Sequence, residues 1–172
     1  GHRKLFEALA SDGPVPNIDL TDGPVLISSE DLCYLRGTQV GRLRVALGDA
    51  SVRIVFYCRR WSDMLPSVWA ERVKHGFDDP LPRLVEAVRA DASRPAFVNF
   101  EAILQAYADV FGRSAIEIVS YSAIMDAGED LAQVRLAARG RIGGAASQVS
   151  SVCLAQGGAG AARVPACGAG VW

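Results

Sequence analysis

Apolar residues along this chain recur in two rhythms, and the alternation between them outlines the elements. Leu5, Phe6 and Leu9 share one side of a helix over 4–9, which Asp12-Gly13-Pro14 breaks. After a loop rich in Pro, Asp and Gly, Pro24-Val-Leu-Ile-Ser28 is a short apolar run bounded by turn signals, the mark of a buried strand. Ser29 is placed to cap a helix over 30–36, because its hydroxyl accepts an unpaired first-turn N–H and acids favour that end. Residues 38–48 are ambiguous in period, with a crossover helix as the expectation. Arg53-Ile-Val-Phe-Tyr-Cys58 is nearly continuous in apolar, β-branched and aromatic residues, as a parallel strand covered on both faces should be.

A helix over 63–75 follows, with Leu65, Trp69 and Val73 at intervals of four, Val68 beside them, and Gly76 to end it. Pro66 is expected near the start of that helix, where a missing N–H costs least. No element is assigned between this helix and the next. That one, over 100–111, puts Ile103, Leu104, Tyr107 and Phe111 on its apolar side and stops at Gly112. Residues 115–121 form a third strand, and 125–134 open a last helix. Strand, helix, strand, helix, helix, strand, helix predicts an α/β layer fold with a mostly parallel sheet. Such sheets bind ligands at the carboxyl ends of their strands.

Composition adds a boundary. The 172 residues are 50% hydrophobic with a net charge of -1, which excludes a disordered or strongly basic chain. No run approaches the roughly 20 apolar residues of a membrane span, and the first residues do not read as a secretory signal. Cys33, Cys58, Cys153 and Cys167 are scattered, which argues against a zinc knuckle and fits a reducing, cytoplasmic compartment. Residues 1–130 hold all 19 acids against 14 Lys and Arg, whereas 131–172 hold no acid and four arginines, Arg135, Arg139, Arg141 and Arg163. The chain is therefore divided into an α/β domain over 1–133 and a Gly/Ala/Arg-rich tail over 134–172. The tail is expected to add few contacts, either as a flexible basic segment or as the product of a shifted reading frame. Nucleic-acid binding would rest on those four arginines alone and is not expected.

The residues that carry chemistry leave the central strand as Arg59-Arg60-Trp61-Ser62-Asp63-Met64-Leu65-Pro66-Ser67. An arginine offers phosphate a planar fork of donors, and a helix start adds unpaired N–H groups. Ser67, about one turn into the helix, can donate a hydroxyl to the same anion. The plainer alternative leaves Arg59 and Arg60 as solvated surface residues and Asp63 as a helix-start acid.

Residues 53–67 resemble the second signature of the sulfotransferase family: a strand ending in Arg, a loop containing Asp, and a Ser eight residues beyond the Arg. Arg59, Asp63 and Ser67 match in register. The continuation Ser67-Val-Trp-Ala-Glu-Arg-Val-Lys-His-Gly76 is similar to a bacterial branch of that family, as is the block over 100–121. Arg60 and Trp61 stand where the cytosolic pattern has Asn and Pro. The resemblance covers about residues 24–133. It implies a three-layer α/β fold on a mostly parallel sheet of the P-loop nucleotide-binding type, incomplete here, and a co-substrate, 3′-phosphoadenylyl sulfate, whose 3′-phosphate Arg59 and Ser67 hold. It further implies sulfuryl transfer to the hydroxyl of a carbohydrate or small polar acceptor. Glu30 is the candidate general base, from its position just past the preceding strand; stabilising the first turn of its own helix is the competing role. The family's Lys-[Ser/Thr]-Gly-Thr loop for the 5′-phosphosulfate does not occur, nor does a nucleotide-kinase Gly-x-x-x-x-Gly-Lys-[Ser/Thr] loop. Two readings stay open: a transferase, cut short at its amino end, or a non-catalytic remnant serving as a structural or interaction fragment. A sheet lacking a strand is expected to expose apolar surface and self-associate.

Overall fold

The computed structural model describes residues 2–11, 13–18, 20, 25–91, 98–128 and 149–155. Helix α1 (Arg3–Ala10) precedes strand β1 (Leu26–Ser29), a 3-10 turn (Glu30–Tyr34) and helix α2 (Gly37–Leu47). Strand β2 (Ser51–Cys58) leads into α3 (Trp61–Lys74), α4 (Leu81–Ala90) and α5 (Phe100–Phe111). A second 3-10 turn (Arg113–Ala115), strand β3 (Ile116–Ser120), helix α6 (Tyr121–Asp126) and strand β4 (Val149–Ala155) complete the described elements. The fold is mixed α/β on a parallel sheet, ordered β1-β4-β2-β3.

Strand alternation divides the core by sheet face. Ile27, Ile54 and Phe56 turn one way and are buried with Leu5 and Leu9 of α1, Val40, Leu43 and Leu47 of α2, and Ile103 and Tyr107 of α5. Val55 and Tyr57 turn the other way and pack against Ile124 of α6. The α2 residues lie three and four apart, so one stripe of that helix faces the sheet; Gly48, at φ +55°, ends it where a side chain would be strained. Asn99 caps α5 by accepting from the Ala102 N–H at 3.0 Å. The buried Tyr107 hydroxyl donates to the Leu32 carbonyl at 2.8 Å and ties α5 to the turn after β1. Arg42 of α2 donates to the carbonyls of Leu9, Ser11 and Gly13, closing the end of α1. Met64 and Leu65 of α3 and Val88 of α4 form a smaller core with Val98.

Four expectations need correction. Residues 149–155 do not stand apart from the sheet: β4 lies between β1 and β2, with Val152 opposite both Ile27 and Ile54. The other tail residues, including all four arginines, lie outside the described residues, as do 129–134 of the last expected helix. Helix α3 begins at Trp61 rather than Asp63, so Pro66 sits in its second turn and the Ser62 carbonyl lacks the usual N–H partner. The unassigned stretch after Gly76 contains α4, whose Val88 alone is fully buried. The segment after Ser29 is a 3-10 turn, with Ser29 Oγ accepting from the Asp31 N–H at 3.3 Å. Ile118 pairs in register with the fully buried Phe56 yet is 60% exposed: the main core reaches edge strand β3 at Ile116, which packs against it, and not at Ile118.

Candidate functional site

The direction of the chain across the sheet decides where a crevice opens. From β1 to β2 to β3 the strands step one way, and α2 and α5 lie on the Phe56 face. From β3 to β4 the chain steps back, and α6 lies on the Val55 face. Right-handed crossovers require that exchange of faces when the direction reverses. The connections leaving β2 and β3 therefore part to opposite sides. The carboxyl ends of these two neighbours form the topological switch point, the place where open parallel sheets take ligands.

Arg59 stands at that point, directly beyond the end of β2. Its guanidinium lies 5.5 Å from the centre of the Tyr121 ring at the start of α6, a distance at which ring and cation attract. Its Nε is shielded from solvent and makes no hydrogen bond among the described residues. A buried donor without a partner costs free energy until an acceptor arrives.

Arg60 is occupied instead. Its Nε meets Asp63 Oδ2 at 3.0 Å and its Nη2 meets Asp126 Oδ1 at 3.2 Å. Ser122, 4% exposed, joins the two sides: its hydroxyl accepts from the Arg60 backbone N–H at 3.1 Å and donates to Asp63 Oδ2 at 3.0 Å. Arg60 first, and then Ser122, hold the Asp63 carboxyl below its ordinary value, and Asp63 in turn raises Arg60. Trp61 and Phe56 both meet the edge of Phe100, at 6.4 and 5.8 Å between centroids, which seats the start of α3 against the sheet.

Ser67 is the seventh residue of α3, so it lies nearly two turns in rather than one, about 9 Å along the axis from the first residue. Its hydroxyl donates to the Asp63 carbonyl of the same helix at 3.2 Å, a back-bond that leaves its lone pairs, not its proton, for other groups. Glu30 opens the 3-10 turn after β1, half-buried, with Oε2 shielded from solvent. Because β4 intervenes, Glu30 and Arg59 follow strands two positions apart, on the order of 10 Å at the usual strand spacing. The structure thus gathers Arg59, Arg60 and Asp63 at one crevice, while Ser67 stands deeper along α3 and Glu30 stands across β4.

Sequence reasoning missed Tyr121, Ser122 and Asp126. Their signal was positional: they follow a strand end, and only the pairing of β3 with β2 brings them to Arg59 and Arg60. Cys33 is buried, and burial followed by the Asp31 charge pushes its thiol up to about 12, so it stays a protonated core residue. His75, at the end of α3, is 3.5 Å from Glu71 and away from the crevice. Among the described residues no cluster of His, Cys, Asp and Glu is arranged to hold a metal, and no helix is long and apolar enough to cross a membrane. No family model, curated protein or solved structure gives a significant match to the chain.

Proposed function

We propose that this chain binds 3′-phosphoadenylyl sulfate in a sheet of the P-loop nucleotide-binding type and serves sulfuryl transfer to a hydroxyl of a carbohydrate or small polar acceptor. The observation that carries the reading is Arg59: a guanidinium at the β2/β3 switch point, with a solvent-shielded Nε that lacks an acceptor. A phosphate oxygen satisfies that donor, and the N–H groups at the start of α3 favour the same charge. In this reading Arg59 is the main 3′-phosphate ligand. Ser67 contributes through rotation of its hydroxyl away from the Asp63 carbonyl, and Glu30 is the base that takes the acceptor's proton. The second reading, a non-catalytic nucleotide-binding or interaction fragment, is favoured by the lack of a Lys-[Ser/Thr]-Gly-Thr loop in the 172 residues. It shares the Arg59 site and dispenses with Glu30.

Calorimetric titration with 3′-phosphoadenosine 5′-phosphate and with adenosine 5′-phosphate tests both readings. Wild type should prefer the 3′-phosphorylated nucleotide. Arg59→Ala should lose about tenfold to a hundredfold, since a charged hydrogen bond is worth roughly 1.5–3 kcal/mol, and with it the preference. Ser67→Ala should lose less. Equal binding of the two nucleotides by wild type, or discrimination that survives Arg59→Ala, would remove the site assignment. Glu30→Gln separates the readings: it should abolish transfer in an enzyme and leave nucleotide affinity unchanged in either case.

A further inference from the structure

The pairing of Arg60 suggests how the same crevice is kept closed. Arg60 ends the loop from β2, and Asp126 ends α6, the helix on the far side of the switch point. Their ion pair at 3.2 Å spans the gap between the two connections, and it is the outer of two ties. The inner tie, Ser122 to Asp63 and to the Arg60 N–H, is made by a hydroxyl buried beneath it. The two ties differ in exposure. Ser122 is sealed, whereas Asp126 is 60% exposed and Arg60 57% exposed, so the outer pair exchanges partners at little cost. One residue away, Arg59 carries the unpartnered donor.

We infer that Arg60 and Asp126 form an ionic latch across the β2/β3 switch point, and that an oxyanion entering beside Arg59 displaces Asp126 and takes Arg60 as a second ligand. The inference rests on the anion-binding reading of Arg59 but not on the identity of the nucleotide. Asp63 keeps its hold on Arg60 Nε throughout, because Asp126 meets a different nitrogen, Nη2. The guanidinium therefore stays oriented while Nη2 changes partners. Release of Asp126 frees only the last turn of α6, next to Gly128 at φ +68°, so the sheet need not move.

The test is a double-mutant cycle read by calorimetry with two probes, inorganic pyrophosphate and 3′-phosphoadenosine 5′-phosphate. Asp126→Asn should tighten both by about two- to fivefold, the scale on which an exposed ion pair competes. Arg60→Ala should weaken both, and adding Asp126→Asn to it should then bring no gain. Asp109→Asn, a charge loss on α5, controls for a general change in field. A gain from Asp126→Asn that persists without Arg60, or matches that of Asp109→Asn, overturns the latch. Pyrophosphate binding that follows the cycle, without preference for the 3′-phosphorylated nucleotide, keeps the latch and removes the sulfate-donor reading. No binding of either probe by wild type removes both.

Discussion

Replacing Tyr107 by Phe isolates one buried hydrogen bond. The ring is fully buried and stacks at 6.3 Å from that of Phe111, and Phe preserves both. What disappears is the hydroxyl that donates to the Leu32 carbonyl at 2.8 Å, in a turn whose Leu32 side chain is itself at 0% exposure. The carbonyl keeps the Leu35 N–H at 3.2 Å, so one of its two hydrogen bonds is lost and no acceptor is left bare. A hydrogen bond contributes about 0.5–1.5 kcal/mol net, and the expected destabilisation is of that size. In urea, where a protein of this size has a slope of about 2 kcal/mol per molar, the midpoint should fall by about 0.25–0.75 M with the slope unchanged. Trp61 and Trp69, both on α3, give a fluorescence signal for unfolding. A midpoint shift below about 0.2 M would refute the claim that α5 is pinned to the turn bearing Glu30 through this bond. A changed slope would show that the variant alters the compactness of the folded or unfolded chain rather than a single contact.

Two further outcomes follow from burial and from the place of β4. Burial is the largest cause raising Cys33 from 9.0 to about 12, and it also raises Tyr34 and Tyr107 above the ordinary 10.0. The folded chain thus holds protons that the unfolded chain releases, so stability is full below about pH 9 and falls as pH rises through the window above it. Urea midpoints from pH 7 to 11 should show that decline, shallower in Tyr107→Phe; a flat profile would contradict the burial of these groups. Val152→Pro removes a backbone N–H from a strand paired on both sides, and cooperative unfolding in calorimetry should be lost. Retention of a sharp transition near the wild-type temperature would show that 149–155 do not bridge β1 and β2.

The sequence made some elements legible and hid others for physical reasons. Helix α5 matches its expected bounds, because Ile103 and Tyr107 mark a buried stripe and Gly112, at φ +84°, stops it. Strands β2 and β3 stand out through β-branched runs. Helix α4 lacks that signature, with one fully buried residue and a proline in its first turn. Strand β4, Val-Ser-Ser-Val-Cys-Leu-Ala, was lost in Gly- and Ala-rich surroundings whose composition says nothing of pairing. Arg59 was legible as a residue at a strand end. The acceptor-less Nε, the Tyr121 ring above it and the Arg60–Asp126 pair depend on which strand lies beside β2, and that register is not written in any local period.

The insertion of β4 between β1 and β2 also sets an order of events during synthesis. When residue 128 has left the ribosome, β2 and β3 and the helices between them are complete, and that unit can condense with contacts of modest sequence separation. β1 then has no neighbour to pair with, and one edge of β2 stays open until residue 155 emerges. At 5–20 residues per second this interval is on the order of a few seconds. Throughout it an apolar strand edge is available to any other nascent chain. Slower translation past β3 lengthens that exposure, so the yield of folded chain should depend on how quickly its last described strand is delivered.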